Sequence, residues 1–251
     1  MQDLNISLAQ IATTPPTALE KKEIKEKTKE NVKAIEDLQH VLMAQKKYSL
    51  LIILQGMDAS GKDSAIRKVF KEISPSGIKV ESFKKPTDKE LAHDFLWRVH
   101  QHTPEKGMIQ VFNRSHYEDV LIQRVHGWID EKTVRKRFKH ISNFEELLKD
   151  FGTRVLKFYL HTSKEKQLIE LEERKTDPTK HWKHNPNDFV EREHWDEYMN
   201  AYEDIFKFCG LKTPWHIIPS DQNWYKEYLI SEVVKKELAS MDLQYPPLEE
   251  G

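Results

Sequence analysis

The stretch Leu51-Ile52-Ile53-Leu54-Gln55-Gly56-Met57-Asp58-Ala59-Ser60-Gly61-Lys62-Asp63-Ser64 carries the densest chemical information in the chain. An apolar run leads straight into Gly-x-x-x-x-Gly-Lys, and a segment with Ile66, Val69 and Phe70 on one helical face follows. Anion binding needs that order. Glycines let the backbone curl until successive N–H groups converge on one phosphate. The helix beyond adds its positive end, and Lys62 reaches the phosphates being transferred. Gly56, Ala59, Ser60, Gly61, Asp63 and Ser64 are therefore expected around phosphate, with Lys62 in a catalytic role. Asp63 stands where Ser or Thr would commonly offer a hydroxyl to magnesium, although Ser64 follows. A carboxylate beside phosphates, as at Asp58, is repulsive unless a cation lies between them. Asp58 is expected as a metal ligand or an orienter of the acceptor.

A second run, Met108 to Phe112, ends in Asn113-Arg114-Ser115-His116-Tyr117-Glu118-Asp119. Active groups of parallel sheets collect at the carboxyl ends of strands, so Asn113 and Arg114 should face the phosphate loop. Glu118 sits close enough to that turn to be a candidate for nucleotide or metal binding, although it could equally complement a helix dipole. Other cations gather locally. Lys84 and Lys85 follow the run Ile78–Phe83, while Arg174, Lys175, Lys180 and Lys183 surround a polar segment in which Asp177 is the opposing acid. The chain as a whole has 40 Lys+Arg against 41 Asp+Glu, a net charge of −1, so nothing global calls for nucleic acid or an anionic membrane. A near-neutral chain that clusters its cations beside a phosphate loop suits an anionic chain substrate. His181 and His184 lie on a loop with no cysteine and no third ligand, which argues against zinc.

The elements that must position these groups follow from periodicity. Five short runs, Leu50–Leu54, Ile78–Phe83, Met108–Phe112, Arg154–Leu160 and Trp215–Ile218, are rich in β-branched or aromatic residues and too short for helices. Helical patterns separate them: Lys62–Ile73, Lys89–His100, Tyr117–Val125, Glu131–Lys149, Lys164–Glu173, Phe189–Phe208 and Trp224–Met241. Strands alternating with helices predict an α/β domain, a parallel sheet of five strands with helices on both faces. The breaker cluster Thr13–Thr17 precedes a charged segment in which Val32, Ile35, Leu38 and Leu42 make one apolar stripe. That helix should lie against the body or a sister subunit, so residues 1–47 form an N-terminal extension and an oligomer is expected. Residues 48–245 form the domain, residues 174–188 a lid read as a mobile loop, and residues 246–251 a frayed tail. Trp195 and Tyr198 are expected in packing rather than base stacking. The single cysteine, Cys209, fits a reducing cytosol. The residues Met1–Thr14 lack the features of a secretory signal, and no run of about 18 apolar residues occurs, so a cytoplasmic location is expected.

Taken together, Gly56–Lys62 and Phe112-Asn113-Arg114-Ser115-His116-Tyr117-Glu118-Asp119-Val120 resemble the polyphosphate kinase 2 family. Ser82–Thr87, Asp177–Pro186 with Trp195–Tyr198, and Pro214–Asp221 extend the likeness over roughly Lys47 to Leu238. The resemblance implies a P-loop kinase fold with a lid, a magnesium ion, and phosphoryl transfer between polyphosphate and a nucleoside mono- or diphosphate. It implies catalytic roles for Asp58, Lys62, Asn113 and Arg114. Many members have Asp where Asn113 stands, and the Asn-bearing subgroup it resembles is associated with both AMP and ADP as acceptors, ATP being the final product. An ATP-dependent nucleoside or nucleotide kinase, or a P-loop switch without turnover, are the rival readings of the same loop.

Overall fold

The structure is a computed structural model that describes residues 6–248. Its sheet is β1 (Ser49–Gln55), β2 (Ile78–Ser82), β3 (Ile109–Asn113), β4 (Thr153–His161) and β5 (Trp215–Pro219). All neighbours are parallel, in the order β2-β3-β1-β4-β5. The five expected strands are these five, each within two residues of the bounds read from sequence.

Side chains alternate across a strand, and β1 uses both faces. Leu51 and Ile53 enter one core with Phe112 and Tyr159, and that core is completed by α6 (Glu131–Asp150) and α9 (Trp195–Cys209) through Phe138, Ile141, Phe144, Ile205 and Phe206. Leu50, Ile52 and Leu54 enter the other, against α1 (Lys21–Gln45), α2 (Lys62–Val69) and α10 (Asn223–Ala239). Burying both faces requires a continuous apolar run, as Leu50–Leu54 is. The stripe of α1 closes on its own chain: Ile35 and Leu42 pack in the second core with Ile230, Val234 and Leu238 of α10, and Asn31 Nδ2 donates to Ser231 Oγ at 3.1 Å.

Three expected helices come out broken. Lys89–His100 divides into α3 (Asp88–Leu91) and α4 (Trp97–His100), because Asp94 Oδ1 takes the Leu96 N–H at 3.0 Å and offers the backbone a turn in place of a helix. Tyr117–Val125 begins as a 3-10 turn, His116–Val120, capped by Ser115 Oγ on Tyr117 N, and only then becomes α5 (Ile122–Val125). Phe189–Phe208 is interrupted at His194, where α8 (Asn187–Glu193) gives way to α9. The helix α7 (Lys164–Thr176) carries the chain into the segment Asp177–Pro186, which has a single 3-10 turn at His181–Lys183. The last residues of the expected tail, 249–251, and the first five of the N-terminal extension lie outside the described residues.

Behind the edge where β1 and β3 end lies a charged network in the interior. Lys157 Nζ, on β4, donates to Glu145 Oε2 at 2.7 Å, to Tyr117 Oη at 2.9 Å and to the Cys209 carbonyl at 2.7 Å, while Tyr117 Oη donates to Glu145 Oε1 at 2.7 Å. Both charges are removed from water. Burial works against the Glu145 carboxylate, but Lys157 and His116 outweigh it and hold the carboxyl below its ordinary range. The network pins Tyr117, three residues after Arg114, to α6 and β4. Lys157→Ala leaves Glu145 buried without its cation, a loss of about 3–5 kcal/mol. Urea unfolding should show it as a fall in midpoint at unchanged slope.

Candidate active site

The site grows from the ends of adjacent strands. Leu54 of β1 is level with Asn113 of β3, and Arg114 N donates to the Leu54 carbonyl at 3.0 Å. The register therefore sets Arg114 beside the start of the phosphate loop. Within the loop Gly61 has φ +88°, and Ala59 and Arg114 hold φ +63° without being glycine. Each such residue costs about 1–2 kcal/mol of backbone energy, and strain of this kind gathers where a turn is needed for function. Gly56 leaves no room for a side chain, since a Cβ there would lie 2.8 Å from the Leu160 carbonyl oxygen.

A cavity of about 400 Å³ opens over the loop, lined by Asp58 through Ser64 and by Arg67, Asn113, Arg114, Lys166, Arg174, Lys180, Lys183 and Lys226 among others. Lys62 Nζ is buried and donates to the Gly56 and Met57 carbonyls at 2.8 and 3.0 Å. Burial, with Arg114 nearby, brings its pKa down to about 8. Arg114 Nη2 donates to Asp58 Oδ1, and Arg114 Nη1 lies 3.6 Å from Glu118 Oε2. Burial opposes the Asp58 charge, but Arg114 and Lys62 hold its carboxyl below the usual range, so Asp58 is an anion at neutral pH. Glu118 Oε1 accepts from Gln55 Nε2 at 3.0 Å.

Asp63 joins two sides of the cavity. Asn113 Nδ2 donates to Asp63 Oδ1 at 2.7 Å and Lys183 Nζ to Asp63 Oδ2 at 3.0 Å, so the segment after α7 is tied to the phosphate loop. Ser64 Oγ donates to the Gly61 carbonyl at 2.8 Å, inside the first turn of α2. Of the four cations expected around the lid, Arg174, Lys180 and Lys183 line the cavity, whereas Lys175 pairs with Glu172 at 3.0 Å and lies over the Phe189 ring. Asp177 accepts from Thr179 N and Oγ1 and shapes a turn, and of these cations it acts on Lys180. Lys84 and Lys85 are not in this cavity. They line a neighbouring one of about 830 Å³, which shares Arg114 with the first and also has Arg98, Glu118, Asp119, Ile122, His126 and Trp128 on its walls. Trp195 and Tyr198 are both buried, Trp195 in packing, while Tyr198 also donates through its hydroxyl to Glu191 at 2.6 Å and edges a smaller space beside Arg114.

Among the described residues no three His, Cys, Asp or Glu side chains gather as a metal cage. Magnesium seldom asks for one: it keeps several waters and takes one or two carboxylates together with substrate phosphates. An ionised Asp58 on the cavity wall fits that habit.

The sequence profile of the family described as polyphosphate kinase 2 matches residues 18–246. This chain belongs to the polyphosphate kinase 2 family. It is 46% identical over 213 residues to an AMP/ADP-polyphosphate phosphotransferase of Meiothermus ruber, covering 84% of this chain and 80% of that one. It is 40% identical over 228 residues to an ADP-polyphosphate phosphotransferase of Rhodopseudomonas palustris, covering 86% and 79%. The crystal structure of polyphosphate kinase 2 from Arthrobacter aurescens superposes with a TM-score of 0.95 at 36% identity, covering 99% of this chain and 90% of that one. The P-loop kinase fold expected from the loop and the alternating elements is therefore the fold of this polyphosphate kinase.

Several residues of the site escaped the sequence reading, Arg67 and Lys166 among them, and two carry the most structure. Lys226 lies on α10, remote from every motif, and is buried against the loop, where burial lowers its pKa to about 8. The rule that carboxyl strand ends face the site, applied above only after β3, could have been extended to the first turn of α10 after β5, though nothing in the sequence singles out that lysine. Asp188, at the start of α8, accepts from Arg174 Nη1 at 2.7 Å. Burial and the nearby Asp58 raise its pKa to about 6. Charge counting named only Asp177 as the opposing acid of residues 174–188, whereas Asp188, the last residue of that segment, folds back onto Arg174. Asp188→Asn weakens the tie between α7 and α8, and amide hydrogen exchange across residues 177–186 should quicken by about tenfold or more, the effect of losing one charge-assisted bond of about 1.5–3 kcal/mol.

Proposed function

We propose that this polyphosphate kinase carries phosphoryl groups from inorganic polyphosphate to AMP and to ADP, with magnesium, so that AMP is raised stepwise to ATP. The observation that carries this reading is the pairing of two cavities across Arg114. The first is walled by the loop amides, Lys62, Arg174, Lys183 and Lys226, cations on several sides with room for a run of phosphates. The second, larger one has Trp128, Ile122, Phe83 and Leu91 for a base, and Lys84, Lys85 and Arg98 for the acceptor's phosphates. The name of the Meiothermus ruber relative, which couples AMP and ADP, supports both acceptors.

In this reading the loop N–H groups and Lys62 hold the donor phosphates, and Arg114, facing both cavities, neutralises charge on the phosphoryl group in flight. Phosphoryl transfer asks for positioning and electrostatic stabilisation rather than a protein nucleophile. A magnesium ion carried with the phosphates and held at Asp58 would supply further charge neutralisation. Arg174 and Lys183 close the donor side through Asp188 and Asp63. Asn113 presents an amide where a carboxylate would add negative charge toward the acceptor, which suits acceptors whose terminal phosphates sit at different depths. Donor and product both contain phosphoanhydrides, so concentrations set the direction.

Purified enzyme given AMP, magnesium and polyphosphate, free of adenylate kinase, should form ADP and then ATP. No ATP from ADP would refute the second acceptor, and turnover with ATP but none with polyphosphate would refute the donor. Lys62→Ala should lower transfer by about two to three orders of magnitude, the usual loss for one electrostatic contact to the transition state, at an unchanged circular dichroism spectrum. A lysine with its pKa lowered to about 8 is cationic below that pH and neutral above it. The kcat/KM for polyphosphate should therefore fall as pH rises through about 8 in wild type, and Lys62→Arg should make the fall shallower, leaving the share set by Lys226, which also titrates at about 8.

A further inference from the structure

We propose that Lys226, one turn into α10, is a positioning residue of the phosphate loop, its ammonium gripping the Ser60 carbonyl so that the Gly61 N–H is aimed at the donor phosphates. The inference rests on the reading of that loop as the polyphosphate site. Lys226 Nζ donates to the Ser60 carbonyl at 3.1 Å and to Asn223 Oδ1 at 2.9 Å, and its side chain is 1% exposed. The Ser60 carbonyl and the Gly61 N–H belong to one planar trans peptide unit and point in opposite directions. Holding the first toward α10 holds the second away from it. The Gly61 N–H donates no hydrogen bond within the described residues, and Gly61 lines the cavity.

Two further observations set this contact apart from ordinary packing. A Cβ built on Gly61 would fall 2.0 Å from Lys226 Nζ, so the ammonium occupies the space a side chain would fill. The second glycine of the loop is thus matched to this lysine as well as to its own φ of +88°. In addition, the hydrogen-bond partners of Lys226 Nζ are a carbonyl and an amide oxygen, and the Glu227 and Glu170 carboxylates act on it only from farther off. A buried ammonium with neutral partners is costly, and a hydroxyl or amide could cap a carbonyl without that cost. The positive charge has a use on the far side of the peptide, where it reinforces the field that Lys62 applies to the same phosphates. The two ammoniums bracket Ser60, Lys62 Nζ standing 3.5 Å from Ser60 Oγ.

The test measures polyphosphate-dependent phosphorylation of ADP by wild type, Lys226→Met and Asn223→Ala, with thermal midpoints for each. Lys226→Met keeps the length and apolar body of the side chain and removes the charge. Its kcat should fall by about one to two orders of magnitude, as for other preorganised donors, and the polyphosphate KM should rise while the ADP KM stays within about twofold. Asn223 is exposed, so its loss leaves the core intact; Asn223→Ala loosens the grip and should show the same split, several-fold in size. A lowered thermal midpoint with unchanged kinetic constants in Lys226→Met would overturn the proposal, as would equal rises in both KM values. If Lys226→Met does not fold, wild-type constants in Asn223→Ala overturn it. Wild type that phosphorylates AMP with ATP as donor, but neither AMP nor ADP with polyphosphate, would instead remove the donor reading beneath it.

Discussion

Positive charge converging on a single turn of backbone, Gly56 to Lys62, is the constraint around which this molecule is arranged. Lys62 reaches the turn from within, Arg114 from the next strand, Lys226 from the last helix, and Arg174 and Lys183 from beyond α7. Cations brought this close repel one another, so each is held by oxygens chosen to leave it charged. Asp58 and Glu118 restrain Arg114, Asp63 restrains Lys183, Asp188 restrains Arg174, and backbone carbonyls restrain Lys62. A polyanionic substrate relieves the remaining repulsion, which is why such a site can bind phosphate chains in a protein whose net charge is close to zero.

The fold serves this by keeping the contributing strand ends level. Central β1, paired in register with β3 and β4, sets Gly56 and Arg114 along one edge. Helices on both faces make that edge rigid, and the Lys157–Glu145–Tyr117 network braces the turn after Arg114 from below. An apolar pair of similar volume could fill the same space. The charged version adds hydrogen bonds of fixed direction, joining β4, α6, α9 and the turn that carries the catalytic candidates.

Much of this was legible in the residues. The strands could be read because apolar runs such as Leu50–Leu54 are short, bounded and β-branched, and the loop because Gly56, Gly61 and Lys62 have few other uses at that spacing. The broken helices were not, because an Asx turn at Asp94 and a serine cap at Ser115 compete locally with periodicity. Lys84 and Lys85 looked like donor-site cations by nearness in sequence, and the sheet order carries them to the neighbouring cavity instead. Lys226 and Asp188 became visible only in three dimensions, since each meets its partner across a long or reversed stretch of chain. Family likeness supplied the motif residues, and the packing supplied the groups behind them.

The central claim is that the phosphate loop holds polyphosphate and that the nucleotide acceptor lies across Arg114. A crystal structure of the enzyme with polyphosphate and a non-reactive ADP analogue tests it most directly. Phosphate should lie within hydrogen-bonding distance of the Gly61 and Lys62 N–H groups and of Lys62 Nζ, with the base against Trp128 and Ile122 and the acceptor phosphates toward Lys84 and Lys85. Nucleotide phosphates seated on the loop, with polyphosphate bound elsewhere, would contradict it.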